Sequence, residues 1–440
     1  MTITHRRWLL ISFSLIFLLV SPLIIVYASG YRYNTRLRRI EQVGLLSLST
    51  QQNNTEIRID DEIYANKSTS LTKTLPPRDY AITIRKAGYH DWQKTLPIYE
   101  GQTTFSHNIR LFAQADPQPT ELFTNPLTLL AKNESSSLYA SDLSLIQYQA
   151  ETGAITETEL PIPNVAPQSV QLWQNDSAIF TQNNTWYRAV FSAEEIKIEP
   201  LILPAGTTKA YLFESTILAI SDDRVWEWRS GTLTPLFAIP DIQSIAIEGN
   251  RYLVLAAEAT QKRSFLYEVA DAGARPVFVT SLPYSETWRL QEPRGTLWMA
   301  FDETQARLTF IDTRVSPAQT VTLEGVFTWH WSDDQSSLLT ATSNELAIYH
   351  LDNGITQELL LRQSDPITDV AWVVGMDWVL FTSTHALYAL ERDERDQRNT
   401  ILLAHDKTQP RIVDVADEFV RFSSQEQSSF VLWELPLIAD

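Results

Sequence analysis

Along residues 75–98, "LPPRDYAITIRKAGYHDWQKTLPI", apolar and polar side chains alternate, stop at a glycine, and alternate again. A period of two is the signature of an extended chain with one face buried. Tyr80, Ile82 and Ile84 fall on the inward face and Thr83 and Arg85 on the outward one; Lys86-Ala87-Gly88 makes the turn, where Gly88 supplies a positive φ if one is needed. The same period runs through "LLSLST", with Leu46 and Leu48 inward, and "TEIRID", with Ile57 and Ile59 inward. Asp60-Asp61-Glu62 forms a turn before "IYAN", and "TTFSHNIRLF" closes the unit. About six strands in some 70 residues predict a small antiparallel sandwich over 44–112.

A different pattern precedes it. Residues 8–28, "WLLISFSLIFLLVSPLIIVYA", carry no charge. A run of about 20 apolar residues is long enough to cross a bilayer as a helix, with Trp8 and Tyr27 at the interfacial positions and Pro22 as a kink. Val26 and Ala28 could form a cleavage site, but the core exceeds the roughly 7–15 residues of a signal peptide, so an uncleaved signal anchor is expected. Residues 1–7 are then a short basic tail and 29–43 a juxtamembrane segment. His5, Arg6 and Arg7 precede the span and Arg32, Arg36, Arg38 and Arg39 follow it. Charge alone favours keeping the bulk inside. The short basic tail ahead of the anchor resembles an export signal, so a single-pass protein with its bulk outside the cytoplasm is expected. The trailing arginines then face lipid headgroups.

After "AQADPQPTE", a Pro-containing stretch read as a linker over 113–120, the chain becomes self-similar at about 40 residues. The clearest unit, "FTWHWSDDQSSLLTATSNELAIYHLDNGITQELLL" (327–361), holds four extended runs, with a "DDQS" turn and an Asn353-Gly354 hairpin. First runs recur near 127, 169, 209, 244, 287, 327, 367 and 411. The last unit, "RIVDVADEFVRFSSQEQSSFVLWELP", has three runs, and "TELFT" at 120 would supply its fourth. The pattern predicts an all-β chain: transmembrane helix, sandwich, then a β-propeller over 121–440 of about eight blades, or seven should the first unit be irregular. Its two ends should lie side by side.

Two resemblances rest on these residues. The leading Gly44-x-Leu46-x-Leu48 strand, "IRID" at 57–60, Leu75-Pro76 before "DYAITIRKAGY", and "YEG" at 99–101 together resemble a PEGA domain. Departures fall at turns: Asp61 and Arg78 stand where that family prefers Gly, and "KSTS" replaces a Gly-x-Thr-Pro-like step. The resemblance implies an envelope module beside a membrane anchor, with no catalytic residue to carry over. "WSDDQSSLLTATSNELAIYHLDNG" is similar to the WD40-like or TolB-type repeat of bacterial envelope propellers.

Composition narrows the function. A net charge of −18 and a pI near 4.9 repel nucleic-acid backbones. With no cysteine, disulfides, thiolate metal sites and thiol nucleophiles are excluded. The seven histidines lack zinc-motif spacing, and no Walker loop, G-x-S-x-G or H-E-x-x-H occurs. Asp60-Asp61-Glu62, Asp222-Asp223 and Asp333-Asp334 read as turns. His330, between Trp329 and Trp331, reads as a hydrogen-bonded or solvent-facing residue opposite two packing tryptophans. Tyr89 and Trp92 read as sandwich core or a face against the next domain, and "ERDERDQRN" (391–399) as a solvated loop. No catalytic, cofactor or metal residue is assigned. The expectation is a non-enzymatic envelope protein, held in the membrane by residues 8–28, that binds protein or cell-wall glycan. The rival is a propeller glycosidase, lyase or sialidase, which needs paired carboxylates at a channel mouth. A sensor signalling through the anchor ranks third, because the tail is too short for an output domain.

Overall fold

The computed structural model describes residues 3–34, 39–123, 127–132, 136–150, 152–173, 176–192, 195–213, 216–249, 251–271, 273–291, 297–315, 318–351, 354–373, 375, 377–426 and 429–438. Arg36, Arg38 and Asn353, and the side chains of His5, Arg6 and Arg7, lie outside the described residues. One helix, α1 (Ile3–Ala28), opens the chain; its Ile11–Ala28 stretch has a mean hydropathy of 2.4, and none of it is buried by the described residues. Pro22 lies inside it.

Within the juxtamembrane segment 29–43, β1 (Tyr31–Asn34) and β2 (Arg39–Gln42) pair as an antiparallel hairpin. The sandwich follows. Its strands are β3 (Gly44–Thr50), β4 (Thr55–Ile59), β5 (Glu62–Ser68), β6 (Ser70–Leu75), β7 (Asp79–Arg85), β8 (Trp92–Pro97) and β9 (Thr103–Ile109). They form sheets ordered β6-β3-β9 and β5-β4-β7-β8. The expectation of an antiparallel sandwich needs one correction: β3 and β9 run parallel, because β9 returns along β3 from the far sheet. The alternation holds, with Leu46, Leu48, Ile57, Ile59, Tyr80, Ile82 and Ile84 all buried. Asp60 and Asp61 take positive φ at the β4–β5 turn, and Gly88 takes +79°. Gly44 is needed for closeness rather than dihedral freedom: an added Cβ would meet Tyr99 O at 2.3 Å and Ile98 Cγ2 at 2.5 Å. Gly44→Ala therefore forces backbone apart, and we expect a loss of about 1–3 kcal/mol, read as a lowered sandwich transition in thermal unfolding.

From residue 118 the described residues form eight four-stranded antiparallel sheets. Sheets one to seven take residues 128–159, 168–200, 209–238, 242–283, 288–324, 328–362 and 367–404. The eighth takes 411–415, 419–426 and 429–436, plus β10 (Gln118–Phe123) from the front of the region, which pairs with Ser429–Pro436. The last three residues of the stretch read as a linker, 118–120, are thus strand. Its start is also held, since Ala113 bridges Tyr89 and its N–H donates to Leu437 O.

Second strands such as "TILAIS" (Thr216–Ser221) and "WVLFTS" (Trp378–Ser383) are buried on both faces, as strands covered by neighbouring sheets must be. Buried apolar clusters sit at every junction between consecutive sheets. One more joins the eighth sheet to the first: Val413, Phe430 and Leu432 share it with Tyr139 and Tyr148, and Phe430 meets the Tyr139 ring edge-on at 5.2 Å. Each sheet alone leaves two apolar faces wet, so burial drives this side-to-side packing.

Candidate functional site

The first strands of neighbouring sheets lie beside one another and are tied by side chains. Gln171 Oε1 accepts from Leu212 N at 3.1 Å, Ser244 Oγ from Leu290 N at 2.9 Å, and Asp369 Oδ2 from Ile412 N at 3.0 Å. Two cavities of about 200 Å³ each open at opposite ends of these strands.

The first lies where the first strands of the sixth, seventh, eighth and first sheets end. Lys132, His330, Ser332, Asp333, Gln335, Trp372 and Asp414 line it. Alternation along Thr328–Trp331 turns Trp329 and Trp331 toward the fifth sheet, where Trp329 meets Phe301 edge-on at 4.8 Å. His330 is thereby turned into the cavity. Its Nδ1 is 2.9 Å from Trp331 O, and its own carbonyl accepts from Trp372 Nε1 at 3.1 Å. Lys132 donates to Ile412 O and lies 3.6 Å from Asp369 Oδ2. Burial pushes the Asp414 carboxyl up, against the pull of Arg421 3.6 Å away. The same guanidinium donates to Tyr148 Oη at 2.9 Å, whose hydroxyl burial pushes up to about 12.

The second cavity lies at the starts of the first strands of sheets two to five. Lys209 donates to Gln243 O at 2.8 Å and to its Oε1 at 3.0 Å; burial, with Arg289 adding to it, pushes the amine down. Arg289 pairs with Glu303 at 3.0 Å.

A third cavity, about 380 Å³, separates β9 from the sixth and seventh sheets. The run 391–399, read from sequence as a solvated loop, is instead the docking segment between sandwich and sheets. Alternating charge marks ion pairing as readily as solvation, and here both signs find partners across the junction. Glu391 is buried and accepts from Trp92 Nε1 at 2.9 Å, Asp396 accepts from Thr95 N at 2.7 Å, and Arg395 donates to Phe105 O at 2.7 Å. Burial would raise Glu358 and Asp393, but Arg392, His350 and Arg398 on the one and Arg395 and Lys94 on the other hold both below their ordinary values. A carboxylate depressed on folding adds stability above its unfolded pKa and loses it as pH falls through the folded one. Glu358 ties the sixth sheet to the seventh, whereas Asp393 faces Lys94 across the junction, so protonation of Asp393 below about pH 4 should loosen the sandwich from the sheets. Protease sensitivity of 113–117 between pH 7 and pH 3 measures this, and Asp393→Asn should flatten the profile.

The structure brings two of the sequence-marked residues, His330 and Asp333, into one cavity. Asp222 and Asp223 sit at a separate hairpin with positive φ, and Tyr89 and Trp92 at the sandwich–sheet junction. Asp60 is engaged by Arg78 at 2.6 Å and by Ala81 N. Lys132, Asp369 and Asp414 were missed, since their juxtaposition depends on sheets hundreds of residues apart in sequence. Among the described residues no group of three or more His, Asp or Glu is placed to hold a metal.

Residues 43–111 match the PEGA domain family. No curated protein matches the chain. Among solved structures, the C-terminal WD40 domain of Sif2 is 11% identical, with a TM-score of 0.47 over 73% of this chain and 99% of that one. Kluyveromyces lactis Hsv2 is 10% identical, with a TM-score of 0.44 over 63% and 98%. A Lactobacillus plantarum protein is 14% identical, with a TM-score of 0.39 over 68% and 98%.

Proposed function

We propose that this is a single-pass envelope protein in which a PEGA-type spacer mounts an eight-bladed propeller on a membrane anchor, and that the propeller binds protein or cell-wall glycan without catalysing a reaction. The wheel-like arrangement is supported by the packing order, in which the eighth sheet meets the first. The anchor reading draws on α1, and the placement of the bulk outside the cytoplasm on the envelope character that a PEGA segment implies.

The observation that carries the binding reading is the cavity at the ends of four first strands. Lys132 faces Asp369 and Asp414 faces Arg421, so the two inner charges are matched within the protein, while Asp333 stands at the exposed lip. Such a site recognises by hydrogen bonding and shape, which suits a polypeptide loop or an uncharged stretch of sugar polymer better than a strongly charged ligand. The decisive experiment places the full chain in vesicles and measures co-sedimentation with purified cell-wall glycan and crosslinking to envelope neighbours. Asp333→Arg and Gln335→Trp, at the exposed lip, should weaken retention about tenfold, equivalent to ~1.4 kcal/mol. Retention unaffected by either substitution, or none at all, overturns the reading. Protease added to intact cells should cut the sheets; protection places the bulk inside.

One feature favours polysaccharide cleavage as a second reading: a carboxyl held up by burial, as Asp414 is, suits a general acid. Release of new reducing or unsaturated ends from wall glycan, abolished by Asp414→Asn, would replace the binding reading with an enzymatic one.

A further inference from the structure

We infer that the β1–β2 hairpin is a membrane-surface element that lies in the headgroup layer and takes anionic phospholipid; the inference rests on the anchor reading. Eighteen residues of α1 at about 1.5 Å each cover some 27 Å, close to the thickness of the hydrocarbon core. The end of the helix is then at the interface, and β1 begins three residues later. A four-residue strand reaches about 13 Å, so β1 starts at the interface and stays within about that distance of the hydrocarbon edge.

The joint is fixed rather than loose. Ser29 N donates to Ile25 O and Gly30 N to Tyr27 O, then Val43 N donates to Gly30 O and Gln42 Nε2 to Ser29 O. Arg32 Nη1 donates to Tyr27 O at 2.6 Å and its guanidinium lies 3.5 Å over the Tyr27 ring.

The hairpin's surface fits that layer. Tyr33 pairs directly with Ile40, which puts both on one face, and they are 61% and 63% exposed. Tyr31, on the same face, is exposed too. A tyrosine–isoleucine face left bare beside a bilayer is what an interfacial anchor presents. Charge agrees. The chain carries −18 overall, yet residues 29–55 hold four arginines and one acid, Glu41. That local excess favours an anionic surface.

The chain has no cysteine, so single substitutions give unique labelling sites. The full chain is reconstituted in phosphatidylcholine vesicles with and without phosphatidylglycerol, labelled at Tyr33→Cys, Ile40→Cys, Ile63→Cys on the sandwich, or Leu18→Cys within α1. Lipid-borne quenchers should reach labels at 33 and 40 several-fold better than one at 63. The difference should grow with phosphatidylglycerol, and Arg39→Gln, an exposed change, should reduce that growth. Labels at 33 and 40 as open to water as the one at 63 overturn the inference while a label at 18 still reports the bilayer core. Equal depth in both lipids overturns its preference for anionic lipid. A label at 18 open to water removes the anchor, and the inference with it.

Discussion

Replacing Lys94 with methionine is expected to cost about 3–5 kcal/mol at the sandwich–sheet junction, the usual result of stripping one partner from a buried ion pair. The Lys94 side chain is 0% exposed; its Nζ lies 2.9 Å from Glu391 Oε2 and 3.5 Å from Asp393 Oδ2, and donates to Asp393 O at 2.7 Å. Glu391 also accepts from Trp92 Nε1 and Asn399 Nδ2. Methionine fills the aliphatic volume and leaves the carboxylate buried with its charge uncompensated. Thermal unfolding of the intact chain should show a separate, earlier sandwich transition, and protease should cut near 113–117. Lys94→Met with Glu391→Gln should recover at least half the loss, because the charge leaves with its partner. A single variant within about 1 kcal/mol of the parent would mean that the junction opens in solution.

The second large effect is expected at Val431→Pro. Val431 pairs with Leu122 of β10 on one side and Ser424 on the other, so its strand is internal to the eighth sheet. Proline cannot donate to a ladder and is tolerated only at edges and bulges, so the cost should reach about 3 kcal/mol or more. Val431→Ala isolates the side-chain share, roughly 1.6 kcal/mol for two methyl equivalents at about 0.8 each. The difference between the two variants in urea unfolding, followed by tryptophan fluorescence, measures the backbone seam. If the two variants match, the Ser429–Pro436 strand is not held in its ladder with Phe419–Glu426 in solution.

Much of the fold is legible in the sequence because strands covered by one sheet or two leave different traces. In β3, β4 and β7 the burial alternates as the residues do. In the eight sheets, starting positions expected near 169, 209, 367 and 411 meet strands that begin at Gln168, Lys209, Ile367 and Arg411. β6 was missed, since "SLTKTL" carries no strong apolar alternation and its face is supplied by β3. The hairpin before the sandwich was missed because strands of four residues are too short to show a period, and its apolar side chains Tyr33 and Ile40 are exposed. Lys94 had a signal, standing in phase with Trp92 and Leu96 on the buried face of β8. A lysine in that register asks for an acid, and "ERDERD" near residue 391 could have supplied it. Local pattern does not reveal which distant turn meets which strand, so the cavity at His330 stayed unseen beyond His330 and Asp333.

The shared eighth sheet also sets a schedule for biogenesis. β10 leaves the ribosome on the order of 300 residues before Ser429–Pro436, its only ladder partner among the described strands. At about 5–20 residues per second, that strand waits roughly 15–60 s with a bare edge. Its sequence, "QPTELF", suits the wait: Pro119 removes a donor and Glu121 adds a charge, both of which discourage stray pairing with another nascent chain.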